Sequence, residues 1–345
     1  MLLRKFVWFA LLVCLIAHDL VAQEETPRSF LDELRGQSQL LDHASQPQLV
    51  RSFLSASTSL QPVAVRTIYF NRSKNKALTE QQYLALAEAK RSGFMPLSVD
   101  DRLYYGNYST PLAWVRPLKI LADQGVVSVD SKRILDFGFG NVGQLRMLAS
   151  LGASVTGVEV AGGIHQAMYS QDTDQGIVKK LSPGISENDG SLELVFGKWP
   201  AEKPIVEEVG RNFDLIVSKN VLKLGYIHPQ QEVPKRMRID LGVSDQRFLG
   251  QLFKSLNPGG VVLIYNIHPM QSSDPKAYRP WAHGETPWEQ NEVEEAGFEV
   301  VAWHVDDSTE IQSLGKKLGW RDSVSSQEAF ESGFRAMYTI LRRPK

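Results

Sequence analysis

The sequence predicts an α/β fold with a mostly parallel sheet. Three observations predict it. From residue 133 onward short apolar strands alternate with helical stretches, the pattern of βαβ units. One strand, Arg133 to Phe137, runs straight into a glycine-rich turn. The next strand closes on an acid, Glu159, about twenty residues beyond that turn.

The elements follow in order. Gln23 to about Gln61 is polar and helix-prone, with Leu31, Leu34, Leu40 and Leu41 as a helical stripe. Val63–Phe70 reads as a strand, and Leu78–Ser92 as a helix with Thr79 as its N-cap. The aromatic turn segment Tyr104–Pro111 places Thr110 as cap and Pro111 at the first position of a helix reaching Gln124. Helices are expected at Val142–Leu151, Ile164–Tyr169, Gln175–Leu181, Ile205–Val209, Gln246–Leu256 and Pro287–Ala296. Strands are expected at Ser154–Val160, Leu192–Phe196, Phe213–Val217, Gly260–Ile267, Phe298–Trp303 and Phe334–Arg342. The boundaries are 1–22 for a targeting segment, 23–110 for a mainly helical extension or cap, and 111–345 for the α/β domain.

Lys plus Arg number 38 and Asp plus Glu 39, so no bulk field points to nucleic acid or an anionic membrane. Arg4 and Lys5 precede an almost unbroken apolar run, Phe6–Ala17, and Leu20-Val21-Ala22 supplies a small residue for cleavage. The run is short for a membrane span and fits an export signal, periplasmic or secreted; an uncleaved membrane anchor is the alternative. The single cysteine, Cys14, lies inside this run. Removing the signal leaves no disulfide, thiolate metal site or cysteine nucleophile. The histidines show no metal-ligand spacing, and no metal is expected.

The sharpest motif is Asp136-Phe137-Gly138-Phe139-Gly140-Asn141-Val142-Gly143. Glycines let a tight turn leave a strand while the backbone approaches a ligand, and the helix that follows opens with free N–H groups. Glu159 is placed to accept hydrogen bonds from ribose hydroxyls. Nicotinamide-dinucleotide binders share such a turn, but they keep an apolar residue where Asp136 stands. A carboxylate there suits a cationic amino group.

The strand-Asp-x-Gly-x-Gly turn and Glu159 are followed by Phe213–Ser218, the turn Asn257-Pro258-Gly259-Gly260, and Glu295-Ala296-Gly297-Phe298-Glu299 before a strand. This ordered set resembles the class I, Rossmann-like methyltransferases that depend on S-adenosylmethionine, over about two thirds of the chain. The resemblance implies seven strands, the last antiparallel, with helices on both faces. It implies that Asp136, Gly138 and Gly140 hold the methionine moiety of S-adenosylmethionine, that Glu159 binds the ribose, and that Val160 flanks the adenine. Tyr108 would cap the ligand, and Ser218 would lie beside it. The family often has an acid after the third strand to accept the adenine amine. Here Lys198 stands there, leaving backbone groups and Trp199 to cover the ring.

Acceptor-side residues would follow the fourth strand: Ser218, Lys219, Asn220, Lys223, Tyr226 and His228. His228 is the first choice for a catalytic base, His268 the second. His283 sits in an aromatic loop with Trp281 and Trp288, and Lys235, Arg236 and Arg238 form a basic cluster. The Asn-Pro-Pro-Tyr motif of nucleobase methylation is absent, which points to a small-molecule acceptor. Two alternatives stand beside methyl transfer: an exported methyltransferase-like protein that binds a ligand or partner without catalysis, and NAD-dependent reduction.

Overall fold

The computed structural model describes residues 29–181 and 188–345. The predicted signal, with Cys14, lies outside the described residues. In chain order the strands are β1 Arg66–Asn71, β2 Lys76–Thr79, β3 Met95–Val99, β4 Arg133–Phe137, β5 Ser154–Glu159, β6 Gly176–Val178, β7 Gly190–Phe196, β8 Phe213–Lys219, β9 Leu256–His268, β10 Glu299–Asp306 and β11 Arg335–Arg342.

The large sheet has eight strands in the order β10-β11-β9-β8-β4-β5-β7-β6. β7, β5, β4, β8 and β9 run parallel. β11 lies antiparallel between β9 and β10. The chain starts this sheet at its centre with β4, winds outward to β7, then returns to β8 on the other side, which is a doubly wound sheet. The seven-stranded frame expected from the sequence is present, and β6 adds an eighth, antiparallel edge strand. Gln175–Leu181 had read as helical; instead Gly176–Val178 pairs with β7. Gly176 has φ +102°, and Ile177 is 74% exposed, so no apolar face there would reward a helix with packing.

The central strands read as apolar runs because both faces are covered. Along β9, Val261, Leu263 and Tyr265 enter one core cluster, while Val262 and Ile264 enter the other, the period of two that a pleated strand imposes. The first face is covered by helices Val115–Asp123, Gly143–Ala149 and Ser308–Lys317. The second is covered by Asp245–Ser255, through Phe248, Leu249 and Leu252, and by Gln290–Glu295, through Val293.

The extension shares the first core: Leu31, Leu34, Phe53, Leu54, Ile68 and Tyr104 are buried in the same cluster as the sheet residues. Its regular structure is mainly helical, as expected, and it also carries a small sheet. Helices Phe30–Leu40 and Gln48–Ser55 precede a three-stranded antiparallel sheet, β2-β1-β3. The helix expected over Leu78–Ser92 shrinks to Glu80–Leu84. Thr79 does cap it, in a reciprocal capping box with Gln82. Ala77 and Leu78 are buried in β2 against β1, so the strand claims the helix's predicted first turn.

The extension is fastened to the glycine turn by close packing. A Cβ on Gly143 would stand 2.4 Å from Pro111 Cγ and 2.9 Å from the Tyr105 carbonyl oxygen. Gly143→Ala is therefore expected to cost about 1–3 kcal/mol, as overpacking does. Urea unfolding measures it; an unchanged midpoint would mean the aromatic segment is free to lift. No helix among the described residues is long and apolar enough to cross a membrane.

Candidate functional site

The strand order reverses between β4 and β8, and the crevice beyond the carboxyl ends of such strands is where doubly wound sheets take ligands. β4 delivers Asp136 to this point. Its carboxyl is 1% exposed. Gln144 Nε2 donates to Oδ2 at 3.4 Å, and Oδ1 has no partner among the described residues. Burial raises its pKa to about 7, against the opposing pull of the Gln144 hydrogen bond and the Lys219 charge.

The turn leaves β4 as expected: Gly138 N–H donates to Val158 O at 2.9 Å, with φ +75° at Gly138 and +61° at Gly140. Both glycines are contacted by the chain itself. A Cβ on Gly138 would lie 2.3 Å from Val221 Cγ2, and one on Gly140 would lie 3.5 Å from the Tyr108 ring. Tyr108 therefore rests on the turn. Its N–H donates to Asn141 Oδ1 at 2.9 Å, and Asn141 Nδ2 donates to Ser109 O at 2.6 Å. Its side chain stays accessible, the residue being 64% exposed.

Glu159 ends β5 beside the turn and accepts the Val160 N–H at 2.9 Å. Burial raises its pKa, while backbone donors at Val160 and Gly140 oppose the rise. Val160, 51% exposed, stands just past it. His165, the second residue of helix Ile164–Met168, packs into this corner. Its Nδ1 lies 3.9 Å from Glu159 Oε2, its ring centroid 5.1 Å from that of Tyr108, and its Nε2 has no partner. Burial lowers its pKa to about 4, so it is a neutral imidazole at pH 7. Sequence reasoning missed His165, because a lone histidine after Gly162-Gly163 carries no spacing signal.

On the other side of Asp136, β8 ends in Ser218 and Lys219. Ser218 is fully buried and its Oγ has no partner. Burial lowers the pKa of Lys219 to about 8, the Asp136 charge resisting. Lys223 is 3% exposed; its Nζ donates to Ile267 O at 2.6 Å and Trp281 O at 3.4 Å and lies 5.5 Å from the Tyr226 ring centroid. Burial, then the Lys219 charge, lowers its pKa to about 7. Asn220 adopts φ +68°, and its Oδ1 accepts the Ile267 N–H at 2.6 Å, which tethers the loop between Lys219 and Lys223 to β9.

Other predicted residues stand apart from this centre. Trp199 is 2% exposed and packs between Phe137 and Phe248, at 5.8 and 5.7 Å between ring centroids, so it serves the core of the second face. His228 pairs through Nε2 with Asp245 Oδ2 at 2.8 Å. With Lys235 and Arg238 it lines a surface cavity of about 560 Å³. His268 Nδ1 is bonded to Pro269 O at 3.0 Å, and His283 Nε2 to Glu285 Oε2 at 3.0 Å. Lys198 pairs with Asp240 at 3.3 Å, and Trp288 is buried against Phe248.

No protein-family model matches the chain, and no curated protein matches it. Solved structures do. Phosphoethanolamine N-methyltransferase 2 of Haemonchus contortus, in complex with S-adenosyl-L-methionine, is 14% identical over 85% of this chain and 74% of its own, with a TM-score of 0.39. An S-adenosylmethionine-dependent methyltransferase of Mesorhizobium loti is 14% identical over 67% of this chain and 98% of its own, with a TM-score of 0.36. The [4+2]-cyclase SpnF is 17% identical over 67% of this chain and 82% of its own, with a TM-score of 0.36. By its own strand order, its antiparallel last strand and its glycine turn, the chain has the fold of the class I, Rossmann-like methyltransferases.

Proposed function

We propose that this chain binds S-adenosylmethionine and transfers its methyl group to a small-molecule acceptor. The observation that carries the reading is Asp136: a buried carboxyl with one orphaned oxygen, beside two left-handed glycines and one strand away from Glu159. A carboxyl left this way is costly and is relieved by a cationic amino group, which the methionine end of S-adenosylmethionine carries. Glu159 offers acceptor oxygens to ribose hydroxyls, with His165 Nε2 beside it. Tyr108 covers the turn and can swing outward, since it is exposed. The cofactor, when bound, supplies an electrophilic methyl group on a sulfonium. What the chain supplies is position and exclusion of water, which provide much of the acceleration of such a displacement.

Calorimetric titration with S-adenosylmethionine, S-adenosylhomocysteine and NADH, beside Asp136→Asn, tests this. The first two are expected to bind at micromolar Kd and NADH not at all, with the variant losing at least tenfold. A folded protein that binds neither would leave a borrowed fold serving a partner. Tyr108→Ala is expected to keep the unfolding midpoint and to speed release of S-adenosylhomocysteine about tenfold in stopped-flow fluorescence, because its ring covers the turn without being part of the core. An unchanged release rate would remove Tyr108 from the site. We also propose export, on the basis of Arg4, Lys5 and the run Phe6–Ala17; N-terminal sequencing of the secreted chain, expected to begin at Gln23, checks it.

A further inference from the structure

The acceptor half of the crevice is built of lysines. Lys219 ends β8 beside Asp136, and Lys223 is held one loop later by two backbone carbonyls, Ile267 O and Trp281 O. Carbonyl dipoles solvate an ammonium but do not neutralise it, and among the described residues Lys223 has no salt bridge. Among the same residues Lys219 has no carboxylate within ion-pair distance; the Asp136 charge acts on it at longer range. The other ionisable groups facing the pair bring no anion. His268 feels the charges of Lys223 and of Arg335, and Tyr226 lies under Lys223 as a neutral phenol, its pKa raised to about 12 by burial. The fully buried Ser218 Oγ, next to Lys219 in the chain, has no hydrogen-bond partner among the described residues.

Resting on the methyltransferase reading above, we infer that the methyl acceptor is an anion, a carboxylate or phosphate ester received by Lys219 and Lys223, and that cofactor binding prepares its site. The argument is one of charge balance. In the free protein Asp136 is the carboxylate whose charge acts on Lys219. A cofactor whose ammonium takes Asp136 removes that counter-charge, and it adds a sulfonium and a carboxylate of its own. The crevice then holds two lysines and a sulfonium against Glu159 and the cofactor carboxylate, an excess of one positive charge. In a desolvated site this excess is costly, and an anionic acceptor restores balance. Both lysine pKa values are lowered by burial in the free protein, so an arriving anion would draw protons onto them.

By linkage the two ligands must strengthen each other. The test titrates the intact chain with phenyl phosphate and benzoate, with benzyl alcohol as neutral control, each with and without saturating sinefungin, a non-transferring analogue that carries an ammonium in place of the sulfonium. The anions are expected to bind at least tenfold tighter to the loaded protein and the alcohol equally to both. At pH 8 anion binding should take up protons, seen as heats that vary with buffer ionisation enthalpy. Lys219→Gln should abolish the coupling and Lys219→Arg should retain it. If the analogue binds but the anions bind no better than the alcohol, or without coupling, the inference fails and the cofactor reading stands. If the analogue does not bind, the cofactor reading fails and this inference with it. The wild-type coupling decides even where a lysine variant does not fold.

Discussion

Asp136→Asn is expected to make the free protein more stable at pH 8 while abolishing its affinity for S-adenosylhomocysteine. The carboxyl is 1% exposed and its pKa is raised from 3.8 to about 7, chiefly by burial. A carboxyl raised on folding withdraws stability as pH climbs from about 4 to about 7, because the native state must then give up a proton that the unfolded chain has already lost. The rise from 3.8 to about 7 corresponds to at most about 4 kcal/mol, at 1.4 kcal/mol per tenfold. Part of this is offset because Lys219 loses a favourable charge when Asp136 is neutralised. A gain of about 2 kcal/mol at pH 8, vanishing towards pH 4, is therefore expected. Urea unfolding of both proteins at pH 4, 6 and 8 measures it. Equal stability at every pH would mean that Asp136 is solvated and stores nothing for a ligand to release. Saturating S-adenosylhomocysteine should reverse the ranking, since only the wild type gains ligand stabilisation. Such a trade of stability for binding is characteristic of a functional carboxyl.

The second large effect lies far from the crevice. Arg116, in helix Val115–Asp123, forks onto Asp307, with Nε 3.0 Å from Oδ2 and its terminal nitrogen on Oδ1. Tyr265 of β9 donates its hydroxyl to the same carboxylate at 2.8 Å, and Glu310 lies 3.5 Å from the guanidinium. Arg116 is 8% exposed and Asp307 5%. Removing one partner leaves a buried uncompensated charge, so Arg116→Ala is expected to cost about 3–5 kcal/mol. In a chain of this size that lowers Tm by roughly 4–7 °C. Arg116→Met combined with Asp307→Leu strands neither charge and should recover more than half of the loss. A double variant as unstable as the single one would show that the fork stabilises by packing rather than by charge.

What could be read in the sequence was what short-range rules determine. The alternation of strands and helices after residue 133, the cap at Thr79 and the glycine turn with its two left-handed residues all follow from period, capping chemistry and the freedom of a missing Cβ. Asp136 and Glu159 were legible for the same reason, each fixed by its distance from a strand end. The antiparallel place of β11 came from resemblance, not from any local signal.

Tertiary structure decided what depends on residues far apart in the chain. Pairing with β7 turned Gly176–Val178 into an edge strand, and pairing with β1 drew Leu78 out of its predicted helix. Arg116 and Asp307 are 191 residues apart, and no spacing could have joined them. Trp199 reads in sequence as a ring cover, whereas in the fold Phe137 and Phe248 close around it. His165 became part of the site only when helix Ile164–Met168 folded back beside Glu159 and Tyr108. The sequence places Lys219 and Lys223 on the acceptor side but carries no sign of their burial. Their lowered pKa values come from desolvation, which is set by everything packed around a group and by nothing in its neighbours along the chain.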